Sequence, residues 1–427
     1  MNERLLQFIW QFQYFNQTSL ATDDEKPLQI IHPGTLNRNQ GPDFHEGRIK
    51  LDDKVWIGNI ELHVHASEWH QHHHSSDKNY DNIILHVVWH NDAEIRYPNG
   101  ELIPVLELHS LVPKVLLQRF DDLMFTNDDI SCANSLPVLN EVSWTAWKER
   151  LLVERLQERS ETIATWLEQE NEHWEEVFWR CLARAFGMKV NADVFEQIAQ
   201  SLPVNLLARH KHQIHQLEAL LLGQGNLLSS SFDDDYPVML QKEYKFLAKK
   251  YGLKPINKLP DFLRMRPHNF PTIRLAQLAM LVHQSSHLFS KIKTAEHPNE
   301  VFQWFDISAN DFWRYHYTLF EETAYHSGSP GRTFIQHVVI NAIIPMFFSY
   351  GHIRGEQSWK DKAITWFLQS ASEENVITKN WKAHGIENKT AFDSQALIQL
   401  KKNYCDRKRC LECAVGAKLL RATHQPK

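Results

Sequence analysis

The chain has 427 residues, more than one ordinary core accommodates, so two domains are expected. Hydrophobic residues make up 43% and charged residues 23%, a balance that excludes a disordered chain. A formal charge of −6 excludes a globally basic coat for nucleic acid, although a local basic cleft fits inside such a total.

Residues 2–17 predict a helix, with Leu5, Leu6, Ile9, Phe12 and Phe15 at helical spacing. Glu3 beside Arg4 and the lack of a small-residue cleavage site do not read as a secretory signal. Strands are predicted at 27–32, 48–51, 55–65 and 82–90, with another within 96–109 after the Asn99-Gly100 turn. The 82–90 run is apolar almost throughout, as a central buried strand is. Between 55–65 and 82–90, residues 66–81 predict a short helix and a polar, His-rich loop. A helix is expected over 111–125, and CANSLPVLN (132–140) reads as a linker.

From Ser143 onward nearly every segment predicts helix: 143–169, 173–187, 191–200, 203–222, 238–250, 266–284, 309–325, 330–349, 358–371 and 391–402. No run of about 18 uncharged apolar residues appears, so no membrane span or membrane partner is expected. FIQHVVINAIIPMFFSYG (334–351) reads as a buried helix broken near Pro345. Five cysteines are an odd and sparse set, so the expected compartment is a reducing cytoplasm. The expected architecture is α+β: an N-terminal α/β sheet domain over 1–130, then a larger all-helical domain over 131–427.

Chemistry concentrates in residues 41–90, which hold Asp43, Glu61 and nine of the 25 histidines. Side chains alternate across a strand, so Trp56, Ile60, Leu62 and Val64 share one face of 55–65. Asn59, Glu61, His63 and His65 share the other. A carboxylate and two imidazoles on one strand face are costly to bury without charge partners or a metal. If 48–51 and 55–65 form a hairpin, Asp43 approaches Glu61, and the pair makes a site for Mg²⁺ or Mn²⁺.

Helix, strand, Pro42-Asp43 before a strand, Glu61-Leu62-His63 in the next, a short helix and a further strand resemble the PD-(D/E)XK nuclease core. The resemblance implies a restriction-endonuclease-like sheet and a metal-dependent phosphodiesterase acting on DNA or RNA. It implies Asp43 and Glu61 as metal ligands, with His63 at the position of the lysine that orients or activates water. This chain has E-L-H where that family has E-x-K, and a neutral histidine is a base or ligand rather than a fixed cation. Glu3 matches an auxiliary acid of some members. His65 is a further candidate ligand. The reading from another class is a non-catalytic binding or scaffold protein built on a degenerate core. The chain is also similar to a bacterial domain-of-unknown-function family over GPDF (41–44), GNIELHVHASEWHQH (58–72), NIILHVV (82–88), RPHNFPTIRLAQLA (266–279) and YCDRKRCLECAVG (404–416). That similarity implies no activity.

The histidines compete for the site. His63, His65, His70, His72, His73, His74 and Asp77 offer a Zn²⁺ donor set, while His73 and His74 are expected in a solvated loop. His86 and His90 read as core or edge histidines. A second constellation is Cys405-x4-Cys410-x2-Cys413, whose fourth ligand is Cys132, Cys181 or His384. Cys132 with the trio is similar to the layout of iron–sulfur nucleases of the same superfamily, and zinc is the other metal such a set takes. The structural alternative is small buried residues packing a helix. Lys401, Lys402, Arg407, Lys408 and Arg409 are candidate phosphate contacts or a solvated basic helix end. Arg266 and Arg274 bracket a proline-rich helix entry that reads as a structural cap or an anion site.

Overall fold

Two long paired strands organise the N-terminal part of the molecule. The computed structural model describes residues 1–37, 39–72, 74, 77–126, 128–136, 138–285 and 287–421. The chain forms two units, Met1–Asn140 with Lys401–Lys427, and Glu141–Leu400.

The first unit opens with α1 (Glu3–Gln11), capped by the Asn2 side chain, which accepts from the Leu5 amide at 2.9 Å. Strands β1 (Leu28–His32), β2 (Thr35–Leu36), β3 (Phe44–Leu51) and β4 (Lys54–His65) follow. After the short α2 (Glu68–Gln71) come β5 (Ile83–His90), β6 (Val105–Glu107) and α3 (Lys114–Phe125). The sheet order is β1-β3-β4-β5-β6, with β2 on β3. Strand β3 is antiparallel to β1, β2 and β4, whereas β4, β5 and β6 are mutually parallel along the sheet.

Strand β3 begins four residues earlier than its sequence suggests. Its register slips between Phe44 and Gly47, where Glu46 takes φ 58°. A bulge of this kind breaks the alternation that marks a strand. Its consequence is positional: Phe44 pairs with Ile60, so Asp43 lies opposite Glu61. Only Val105–Glu107 of the expected 96–109 strand joins the sheet, while Arg96 and Leu102 form an isolated bridge.

One face of the sheet is apolar. Ile60, Leu62, Leu85, Val87 and Leu106 pack with Leu5, Leu6 and Ile9 of α1, with Phe120 of α3, and with Leu420 of the C-terminal helix Ala414–Arg421. That helix corrects the expected division of the chain. Residues from 401 onward belong with the sheet, not with the helical unit, because Cys410 and Leu420 complete the sheet's core. On the other face Trp69, Tyr80, Ile83, Ile95 and Ile103 form a smaller cluster.

The second unit is helical around a large core of its own. Its helices include Glu141–Gln169, Trp174–Phe186, Ala192–Ser201, Asp235–Tyr251, Pro271–Gln284, Gln357–Gln369 and Ala391–Gln399. Three expectations change. The helix expected at 203–222 is two, Val204–Arg209 and Ile214–Gln224, separated by a polar turn in which the buried His210 bonds Tyr251 at 2.9 Å. The segment 309–325 is not a helix: only Asp311–Arg314 makes a 3-10 turn, because Trp313 is drawn into the core to donate to Glu218 at 3.1 Å. Pro345 does not break its run. A π-helical turn at Val339–Ile343 precedes it, and the proline sits in the first turn of the following α-segment, Ile344–Arg354. This 332–354 helix is long and apolar enough to cross a membrane, yet 78% of its apolar window is buried inside the protein.

Gly47 and Gly58 face each other across β3 and β4. A Cβ on Gly58 would lie 2.5 Å from Ile84 Cγ2 and 2.6 Å from the Asn82 carbonyl oxygen, and the backbone contact has no room to yield. Gly58→Ala is therefore expected to destabilise the sheet unit by about 1–3 kcal/mol, read by urea denaturation. An unchanged midpoint would show that β4 and β5 can separate at no cost.

Candidate metal centre

The hydrogen-bonding of β3 and β4 clasps two carboxylates together. The Asp43 amide donates to Glu61 Oε2 at 3.0 Å, and the Leu62 amide donates to Asp43 Oδ2 at 3.1 Å. Each side chain thus holds the other strand's backbone. From α1, Gln7 Nε2 donates to Asp43 Oδ1 at 2.8 Å and to Glu3 Oε1 at 3.4 Å. Glu3 is thereby one hydrogen-bonded residue away from Asp43.

The histidines join the same carboxylate. His63 Nε2 lies 3.7 Å from Glu61 Oε1, and His74 Nε2 lies 3.2 Å from the same oxygen, although off the line of a hydrogen bond. His63 Nδ1 bonds His86 Nε2 at 2.8 Å, and His63 Nε2 contacts His72 Nδ1 at 3.2 Å. The donor atoms of His63, His72 and His74 all lie within 4.8 Å of one another. An ion at His63 Nε2 selects the tautomer in which Nδ1–H donates to His86.

His74 corrects the expectation of a solvated loop. It is buried, and its ring stacks on Tyr80 with centroids 3.9 Å apart. Trp69 stands edge-on to His63, His74, His86 and Tyr80 and closes that side. His70 is exposed, Asp77 caps the turn at Lys78–Tyr80, and His73 lies outside the described residues.

Burial governs the electrostatics. Glu61 is 5% exposed and His63 is 1% exposed. Burial first, then the charges of Glu61 and Glu3, pushes the Asp43 carboxyl well above the usual carboxylate range. Burial likewise raises Glu61, against the pull of the Asp43 amide. Burial, then His86, His74 and His72, pushes His63 down to about 2, and burial takes His86 to about 3. The cluster therefore contains two carboxylates that resist ionising beside the neutral imidazoles of His63 and His86. A divalent cation relieves the first and uses the lone pairs of the second.

His65 is not brought to this cluster. Its Nδ1 lies 3.8 Å from Asp92 Oδ2, and its ring stacks on His90. This corrects its expected place beside Asp43 and Glu61, because those two meet near the start of β4's buried stretch and His65 ends the strand. His90, Glu107 and His109 form a second group with donor atoms within 4.8 Å. Cys132, Cys405, Cys410 and Cys413 all line one small cavity, whereas Cys181 contacts Met346 in the helical unit's core at 3.6 Å. The basic run beside the trio is partly committed: Lys401 pairs with Asp129 and Asp406, and Lys408 donates to Thr126 and Ser131. Arg274 is buried within the helix Pro271–Gln284, donating to Gln277 Oε1 at 2.7 Å and to Asn269 Oδ1 at 2.6 Å, with its guanidinium on Phe334, and among the described residues it caps no backbone group.

Gln7, His72, His74, Tyr80 and Trp69 are the site's neighbours that strand alternation does not reveal. The one signal for them is the density of histidines after β4. The helical unit also hides a polar cluster: Arg159 bonds Asn341 at 3.0 Å within the π turn, and Asn341 bonds Glu373 at 3.2 Å.

Raised folded-state carboxylate pKa values favour the metal-free protein at low pH, and this advantage is lost as pH rises through them. In chelator, the melting temperature is expected to fall between about pH 5 and pH 9. Glu61→Gln cannot ionise, so at the alkaline end it should be more stable than wild type by about 1 kcal/mol or more. Thermal melts across that range check this, and a wild-type advantage at high pH would contradict it.

Residues 3–376 match the family described as Protein of unknown function (DUF2851), a span that ends before Cys405. No curated protein and no solved structure matches the chain.

Proposed function

The chain belongs to the DUF2851 family, and on that premise we propose that its sheet unit is a divalent-metal-dependent phosphodiesterase acting on DNA or RNA. One observation carries the reading: Asp43 and Glu61 are clasped by each other's backbone, with His63 and His74 against the same Glu61 oxygen. The element order supports it. Helix α1, strand β1, strand β3 with Asp43 at its head, strand β4 with Glu61-Leu62-His63, short α2 and strand β5 follow the order of the nuclease core that the sequence resembles.

The donor set fits a divalent ion. Asp43 and Glu61 supply hard oxygens suited to Mg²⁺ or Mn²⁺, and the neighbouring imidazoles shift the preference toward Mn²⁺. When bound, such an ion polarises a phosphoryl oxygen and makes its water a nucleophile near neutral pH. The protein's own groups do the rest. Gln7 fixes the Asp43 carboxylate, and the two backbone amides fix the approach of both carboxylates. His63, with its pKa pushed down to about 2, is too weak a base to hold a proton, so its role is ligation or positioning at Nε2. His86 orients it through Nδ1. The stacked His74 and Tyr80, with Trp69 at their edge, keep bulk water from one side.

A non-catalytic binding role rests on a different observation, the near-complete burial of Glu61 and His63, which leaves the half-buried Asp43 and exposed His72 as the approach for a polymer.

The test is Mn²⁺- or Mg²⁺-dependent cleavage of single- and double-stranded DNA and RNA by the full chain. Cleavage is expected, and Glu61→Ala or Asp43→Asn should lower it at least about a hundredfold. His86→Ala should weaken metal affinity about 10- to 100-fold by freeing His63. Cleavage that survives Glu61→Ala unchanged removes the proposed site. No cleavage of any substrate, together with no metal binding, leaves the non-catalytic role.

A further inference from the structure

Four of the chain's five cysteines gather within the sheet unit at the point where the chain leaves it and returns. Cys132 precedes the turn Ala133–Ser135, shortly before the helical unit begins at Glu141. Cys405 ends the π-helical turn Leu400–Cys405, and Cys410 and Cys413 lie on the bend before the C-terminal helix. All four line a cavity of about 20 Å³, which Tyr404 and Gly416 also line. The packing there is tight: a Cβ on Gly416 would sit 2.1 Å from the Cys410 carbonyl oxygen, so the helix reaches the cysteine bend only as glycine.

Three ordinary explanations fit poorly. Cysteines used as small packing residues have no need to gather four around one cavity. All four are free thiols, so they form no disulfide framework. Reactive cysteines need a depressed pKa and access, whereas burial pushes Cys132 up to about 12 and Cys413 to about 11. The surroundings do suit bound thiolates. The amides of Val415 and Gly416 donate to Cys413, and Lys408 and Lys401 place positive charge near Cys410 and Cys405.

We propose that Cys132, Cys405, Cys410 and Cys413 form a tetrathiolate site for a thiophilic metal centre that fastens the returning C-terminal segment to the sheet unit. Four thiolates are the donor set of an iron–sulfur cluster, and of a structural Zn²⁺ ion only if the sulfurs draw in, since no three of them lie within 4.8 Å of one another. Binding releases the thiol protons and closes the chain between Cys132 and Cys405, so metal binding and the docking of residues 401–421 are one equilibrium. That docking reaches the carboxylate site indirectly. Arg421 of the C-terminal helix lies over the Phe12 ring at 4.5 Å, just beyond α1, the helix that carries Gln7 and Glu3. The site stands independently of the phosphodiesterase reading.

The full chain, purified without oxygen, is to be assayed for iron, acid-labile sulfide and zinc. One metal is expected in both wild type and Cys181→Ser, and it should be lost from the double variant Cys405→Ser/Cys413→Ser. Iron with sulfide and visible charge-transfer absorption identifies a cluster, and zinc alone identifies a single ion. Stripping the metal should expose the four thiols to alkylation and the 401–409 stretch to trypsin. If the double variant does not fold, protection of the wild-type thiols until chelation supports the site. Neither metal in wild type, even after reconstitution with Zn²⁺ or with ferrous iron and sulfide under reducing conditions, overturns the proposal. So does metal retained by a folded double variant.

Discussion

Glu61 is buried beside Asp43, and two adjacent carboxylates cannot both ionise in a buried site without compensation. The protein supplies part of that compensation from its backbone, through the amides of Asp43 and Leu62. Among the described residues, no side chain bonded to or paired with either carboxylate is a standing cation. His63 and His74 stand against Glu61, but burial depresses both, so neither is a standing cation. A side-chain arrangement that stays unfavourable in the isolated chain at neutral pH is a mark of a site that serves a ligand rather than stability. The missing charge is the strongest physical reason to place a metal ion there.

Much of the surrounding fold exists to hold that pair. The β3 bulge sets Asp43 opposite Glu61. Gly47 makes room for the Ile60 side chain, and Gly58 lets the start of β5 approach β4, the strand pair across which His86 reaches His63. Helix α1 buries its apolar stripe on the sheet and so aims Gln7 at Asp43. The His-rich segment after β4 folds back over the opposite face, where Trp69 and Tyr80 give His74 a wall to stack on. The cysteine cluster lies beside the C-terminal helix that completes the same core. Each of these is a packing or register effect.

Strand alternation alone placed Glu61 and His63 on one face of 54–65, because side-chain period is a local property. The same reasoning was blind to β3 before Arg48, since the bulge at Glu46 breaks the period. It was blind to His74, because no periodicity in 66–81 tells a solvated loop from one that folds over a sheet. The sequence predicts a helix over 309–325, whereas Trp313 and Asn310 bond Glu218, about ninety residues earlier. The return of residues 401–421 to the sheet is equally invisible locally, although the unusual crowding of three cysteines near the C-terminus marked it as a place to look. Long-range contacts account for the differences at His74, 309–325 and 401–421, and a local bulge accounts for the one in β3.

The most direct measurement is a crystal structure of the full chain grown with Mn²⁺, with anomalous data collected at the manganese edge. The account predicts an anomalous peak bonded to carboxylate oxygens of both Asp43 and Glu61, with His63 Nε2 turned toward it. Clear density for those side chains with no peak between them, or manganese bound only at His90, Glu107 and His109, would contradict it.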